Sequence, residues 1–267
     1  MKRLQSRRFA FGLMVTLSVL LGTWSTAVAQ EAPEDGKWKN SWTANMWVPG
    51  FNGDATVRGI PVNVDVSVSD AIDLLDKMEA SFSGHYEGNK KPYGVIVDIN
   101  YWQLECDFTS RLGHGSIKPS SLILELAGSY TLSEKMMGGF AVQRVQGLFG
   151  ARYNQLKLEA EFTPEGEEQV EGSRDQSFVD PFIGARIYQA VSRQWGGNLR
   201  VDVGGFGVSS DLTLNVVATF GYNISPKKSI LLGWRYYSVD YKNGSGADEF
   251  KWDIAQSGPF IAFQSRF

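Results

Sequence analysis

The run Leu212-Thr213-Leu214-Asn215-Val216-Val217-Ala218-Thr219-Phe220-Gly221-Tyr222 decides the fold. Leu212, Leu214, Val216, Ala218, Phe220 and Tyr222 share one side of an extended chain. Thr213, Asn215, Thr219 and Gly221 share the other. The alternation outlasts the ~5–6 residues usual for a globular strand and matches the ~9–11 of a tilted strand that crosses a membrane.

Working outward, the same two-residue period returns again and again. Tyr93, Val95, Val97, Ile99 and Tyr101 oppose Asp98, Asn100 and Trp102. Leu122, Leu124, Leu126 and Tyr130 oppose Glu125, Ser129 and Thr131. Val179, Ile183, Ala185 and Ile187 oppose Asp180, Gly184 and Arg186, and Leu199, Val201 and Val203 oppose Asn198, Arg200 and Asp202. Ile230, Leu232, Trp234 and Tyr236 oppose Ser229, Gly233 and Arg235. A soluble sandwich alternates too. Here, however, the polar side carries charges and glycines in mid-strand, where a sandwich core needs Val or Leu. The apolar side often ends in aromatics, which suits the two interfacial girdles of a membrane barrel.

Connections alternate in size. The short ones are 88–92, 133–135, 192–194 and 225–228; the longer polar ones are 49–77, 105–119, 153–175, 206–211 and 242–248. That asymmetry predicts periplasmic turns on one rim and extracellular loops on the other. With end strands near 40–48 and 249–267, the chain reads as all-β. The expected fold is a closed antiparallel transmembrane β-barrel of about ten strands, with eight or twelve as alternatives. Alternation at Ile60, Val62, Val64, Val66 and Val68 leaves room for an extra hairpin, and Ser69-Asp70 before Ala71–Leu75 reads as a capped helical turn.

The N-terminus has a basic head (Lys2, Arg3, Arg7, Arg8), an apolar body from Phe9 to Leu21 and a small-residue end, Ala27-Val28-Ala29. These are the parts of a cleavable secretory signal, and the body is too short to span a membrane. Ser6-Arg7-Arg8-Phe9 resembles a twin-arginine signal, but that route exports folded protein and a barrel must arrive unfolded. The expected division is 1–29 signal and 30–267 barrel. Intact mass of protein from the outer-membrane fraction should then show a chain beginning near Gln30; a mature chain keeping Arg7 and Arg8 would overturn the reading.

Losing four basic residues from 26 leaves 22 against 29 acidic ones, a net charge of −7. That balance argues against a nucleic-acid partner. One cysteine, Cys106, permits no internal disulfide, and with two histidines leaves too few soft ligands for a typical zinc site. No metal or cofactor is expected.

The tail, Ser257-Gly258-Pro259-Phe260-Ile261-Ala262-Phe263-Gln264-Ser265-Arg266-Phe267, ends on an aromatic and places Ile261, Phe263 and Phe267 on one face. It resembles the C-terminal signal by which outer-membrane barrels are recognised by their insertion machinery. Pro259 cannot donate to a ladder, so a bulge is expected there. Val179–Arg186, Val203–Asp211, Trp234–Tyr241 and Trp47-Val48-Pro49-Gly50 extend the resemblance to nearly the whole mature chain. Together they are similar to a family of loosely porin-like outer-membrane β-barrel proteins. The resemblance implies the fold, the outer membrane as location, and membrane lipid and the insertion machinery as partners. It implies no activity, and oligomeric state stays open.

With the apolar face on lipid, the other face lines the lumen. Glu79, Glu87, Asp98, Glu125, Asp180 and Asp202 are expected to point inward with Arg152, Arg186, Arg200 and Arg235. Opposite charges in a narrow barrel pair, because a buried unpaired charge is costly. An ion-pair network holding the barrel shut and a narrow charge-lined path are both open readings. A hydrolase needs a positioned His beside a carboxylate or Ser. His85 reads as a periplasmic-end histidine and His114 as a loop one, so no catalytic site is expected. A surface receptor or adhesin acting through the long loops, among them the Glu-rich 153–175, is the third reading.

Overall fold

The computed structural model describes residues 36–57, 60–110, 113–137, 141–164 and 170–267; the expected signal segment lies outside them. The strands are β1 (Lys39–Trp47), β2 (Gly50–Val57), β3 (Ile60–Val66), β4 (Met78–Lys90), β5 (Tyr93–Leu104), β6 (Cys106–Ser110), β7 (Gly113–Met137), β8 (Ala141–Pro164), β9 (Val170–Ala190), β10 (Trp195–Gly205), β11 (Leu212–Ser225), β12 (Lys228–Asn243) and β13 (Phe250–Arg266). β1, β4, β5 and β7 to β13 pair antiparallel in a ring that β1 closes on β13, ten strands in all. β2 and β3 form a hairpin on the upper part of β13, and β6 pairs with the outer end of β7, so the extra pieces leave the ring at ten.

Side-chain parity follows the sequence pattern. Leu126, Phe149, Ile183, Phe220, Leu232, Ile261 and Phe263 stand exposed on the outer wall, while Glu125, Arg152, Asp202 and Asn215 are buried inside it. An exposed apolar belt around a polar, enclosed interior is the inverse of a soluble domain and fits lipid. At the rim holding the turns, the start of β1 and the end of β13, Tyr93 meets Tyr130 edge-on at 5.5 Å and Trp195 stacks on Phe220 at 5.0 Å. This is a barrel of the outer-membrane type, and its place is the outer membrane. No helix among the described residues is long and apolar enough to cross a membrane.

Four expectations need correction. The 105–119 and 153–175 stretches are mostly strand: β7, β8 and β9 have 25, 24 and 21 residues, well past the ~9–11 needed to cross, and pair far beyond the belt. The expected 133–135 turn is also paired strand; a register shift at Thr131/Ser133 carries β7 on to Met137. The helical turn of 49–77 is α1 (Val68–Asp73), capped at Ser67 rather than Ser69. There the Ser67 hydroxyl accepts from the Asp70 amide while Asp70 accepts from the Ser67 amide, the reciprocal capping box. The Ser67 hydroxyl also donates to the Asp70 carboxylate at 2.6 Å, and that bond, together with the one from the Ser67 amide, holds the Asp70 carboxyl below its ordinary pKa.

The fourth correction is the missing bulge. β12 and β13 stay in register through Trp234↔Pro259, and β13 meets β1 and β2 in one continuous register. The donor that Pro259 lacks faces the break between β1 and β2 at Val48-Pro49, where the Pro259 carbonyl still accepts from the Val48 amide at 3.1 Å. A Cβ on Gly258 would lie 2.1 Å from the Val48 carbonyl oxygen, so glycine is required at this close approach.

Candidate functional site: the barrel lumen

Inward parity brings eight of the ten expected charges into one connected system. Arg152 donates from Nη2 to Glu125 Oε2 at 2.8 Å and to Asp202 Oδ1 at 2.7 Å. Arg200 donates from Nε to Asp202 Oδ2 at 2.8 Å and from Nη2 to Glu125 Oε1 at 2.7 Å. The two arginines and two carboxylates therefore close a ring of ion pairs, at most 9 % exposed. Short charge-assisted bonds of this kind are the strong ones. β9 supplies Gly184 beside the ring, where a Cβ would lie 2.4 Å from the Val201 carbonyl oxygen and 2.5 Å from the Asp202 Cβ.

From this ring the network crosses the lumen. Asn215 donates to Asp202 at 2.8 Å and accepts from Arg235 Nε at 3.1 Å, and Arg235 Nη1 reaches Asp98 on β5 at 3.4 Å. Asp98 Oδ2 lies 3.1 Å from His85 Nδ1, and His85 Nε2 lies 3.6 Å from Glu87 Oε2. Glu87 takes a two-pronged contact from Arg186 on β9, which also donates to Gln146. Asp98, Glu87, Glu125 and Asp202 thus face Arg152, Arg186, Arg200 and Arg235, equal numbers of opposite charge.

Aromatic rings fill what the charges leave. Arg152 lies over Phe182 at 4.6 Å and over Tyr237 at 5.1 Å; Arg235 lies over Trp47 at 5.0 Å. Above the charges, towards the outer rim, Trp47, Ile123, Phe178, Tyr237, Val239, Tyr241 and Phe250 form a buried cluster, with Phe178 stacked on Tyr241 at 4.1 Å. Towards the periplasm lies a polar cavity of about 140 Å³, which His85, Asp98 and Arg235 line together with Asn45, Trp47 and Phe260.

Two of the expected lumen residues stand elsewhere. Glu79 sits exposed near the outer end of β4, where Gln103 donates to it. Asp180 is fully buried but has no ion pair among the described residues; it accepts from the Ser210 backbone amide at 2.9 Å and from the Ser210 hydroxyl. Those bonds anchor the β10–β11 loop, in which Gly205, Phe206 and Gly207 all have positive φ. Asp180 offsets the strain of Phe206 in that left-handed conformation. Ile261, Phe263 and Phe267 point outward and are exposed. His114 is exposed near the outer end of β7, and no group of three or more His, Cys, Asp or Glu among the described residues is arranged for a metal ion.

At the periplasmic rim Glu134 accepts from Lys91 and from Arg144, the latter at 2.8 Å. Partial burial pushes its carboxyl pKa up, but the two cations outweigh that and hold it below the ordinary value.

No family profile matches the chain, and no curated protein sequence matches it. Among solved structures it is similar to Ail, the attachment invasion locus protein of Yersinia pestis, at 13 % identity over 86 % of this chain and 98 % of that one, with a TM-score of 0.36. Neisserial surface protein A matches at 11 % identity over 86 % and 97 %, TM-score 0.32. The translocator domain of the autotransporter NalP from Neisseria meningitidis matches at 11 % over 98 % and 96 %, TM-score 0.32. The barrel stands on its own strand pairing and outer belt, independently of these likenesses.

Proposed function

We propose that this protein is a closed outer-membrane barrel with a structural role, its lumen sealed against ions along the barrel axis. The observation that carries the reading is the chain of hydrogen bonds and close ionic contacts from Glu125 through Arg152, Asp202, Asn215, Arg235, Asp98 and His85 to Glu87 and Arg186, which crosses from wall to wall. The aromatic cluster above it supports the same conclusion. Ten strands also lie nearer the filled interiors of ~8-stranded barrels than the channels of ~16–18. A narrow-pore role is favoured only by the periplasmic cavity, which ends against this network. No catalytic role is assigned: the carboxylates flanking His85 are both engaged by arginines. Its partners are then membrane lipid and, during biogenesis, the insertion machinery.

The test is planar-bilayer recording with the refolded barrel. Wild-type protein should give no stable conductance steps. Regular steps in the wild type, abolished by bulky substitution at the cavity residue Asn198, would replace the sealed-barrel reading with the narrow-pore one.

A further inference from the structure

Among the described residues, the wall carries one seam without a ladder. β1 pairs with β4 only from Lys39↔Asn89 to Ala44↔Gly84. Beyond that level, among the described residues, Asn45–Trp47 pair only with β13 and Met78–Ser83 pair only with β5. The β2–β3 hairpin does not bridge the interval, because β3 has no second partner among the described residues. The chain that links β3 to β4 passes through α1 and a short 3-10 turn (Leu75–Lys77), none of whose residues is buried.

This seam lies within the apolar belt. Met46 is level with Ile261 and, through it, Leu232; Phe82 is level with Tyr101 and, through it, Leu122. Met46 and Phe82 flank the seam on the lipid side, each about half exposed. Unpaired backbone is tolerated at that depth only where it lines a cavity or is covered by protein. A cavity does lie behind it: Asn45 and Trp47, on the seam itself, line the polar cavity with Asn100, Phe260 and Arg235. Beside the seam, the buried indole Nε1 of Trp102 has no hydrogen-bond partner among the described residues, and its ring meets Phe51 edge-on at 5.4 Å.

Arg235 is the loosely held cation of the lumen. Its bonds run at 3.1 and 3.4 Å, against 2.7–2.8 Å for the ion pairs of Arg152 and Arg200. We propose that the seam is a lateral portal by which a single-chain carboxylate amphiphile enters from the surrounding membrane. Its head group lies on Arg235, and its chain runs out between Met46 and Phe82. The opening is one missing ladder wide and the cavity about 140 Å³, which suits one chain rather than two. Access is sideways, so it is independent of whether the barrel conducts along its axis.

The test uses the refolded full barrel in phosphatidylcholine vesicles containing diazirine-bearing palmitate, with labelled peptides mapped by mass spectrometry. Labelling should concentrate on 44–47 and 81–84 and be displaced by plain palmitate. A diazirine hexadecanol of equal length should label these segments about tenfold less, the worth of one charge-assisted hydrogen bond, and Arg235→Gln should reduce palmitate labelling by the same factor. Asn45→Phe, which leaves Arg235 intact and fills the opening, should abolish labelling while the barrel keeps its heat-modifiable migration. Labelling spread evenly around the belt, equal labelling by acid and alcohol, or undiminished labelling in Asn45→Phe would each overturn the portal.

Discussion

Arg152→Ala should lower the thermal unfolding temperature of the refolded barrel more than any other single change in the lumen. Arg152 has a completely buried side chain and serves Glu125 and Asp202 at once, and those carboxylates are themselves at most 1 % exposed. Removing it leaves two negative charges facing Arg200 alone. Breaking a buried pair by deleting one partner costs about 3–5 kcal/mol, because the other charge stays buried and uncompensated. Loss of the stacking on Phe182 and Tyr237 adds to that. Arg152→Lys keeps the charge but not the fork that spans both acids, so it should fall between alanine and the wild type. Circular dichroism melts of the refolded variants in detergent are the measurement. An unchanged melt for Arg152→Ala would mean that water, not the arginine, neutralises Glu125 and Asp202.

Most of this ring is legible in the residue pattern alone. Residues of one parity in a strand share a face, so Glu125, Arg152, Arg200 and Asp202 have to point the same way, and opposite charges in a narrow space pair. Which acid meets which arginine depends on register and barrel curvature, and neither is written locally. The Arg235–Asp98 and Arg186–Glu87 bonds cross the lumen between strands far apart in the sequence.

Asp180 shows the limit differently. Its parity is that of Arg186, yet the loop at Ser210 reaches it first. The apolar cluster left a clear signal that the charges overshadowed. Ile123, Phe178, Tyr237 and Val239 all fall on the polar parity of their strands, and large apolar residues there mean a filled lumen. Loop lengths misled for a physical reason. Above the membrane a strand needs no lipid-facing side, so outward Lys157, Glu159 and Asp175 look like loop in sequence but lie in paired strands.

Deleting Phe267 should all but abolish the yield of folded protein in the outer membrane, although the residue contributes little to the finished barrel. The residue is 67 % exposed, and its backbone makes the last two bonds of the closing ladder, donating to Asn40 at 2.9 Å and accepting from Asn40 at 3.1 Å. At a net ~0.5–1.5 kcal/mol per hydrogen bond, and with chain ends that fray anyway, the folded state should lose about 1–3 kcal/mol. Assembly makes a different demand. Until β13 meets β1, its edge is unpaired, and the outward row of Ile261, Phe263 and Phe267 is the feature that resembles the recognition signal of outer-membrane barrels. The two effects separate when one variant is followed by two routes. Refolded in vitro from detergent, the Phe267 deletion should melt within several degrees of the wild type. Expressed in cells, it should lose most of its heat-modifiable band from the outer-membrane fraction. An equal deficit by both routes would reduce Phe267 to a stability contact, and normal yield in cells would remove the assembly signal altogether.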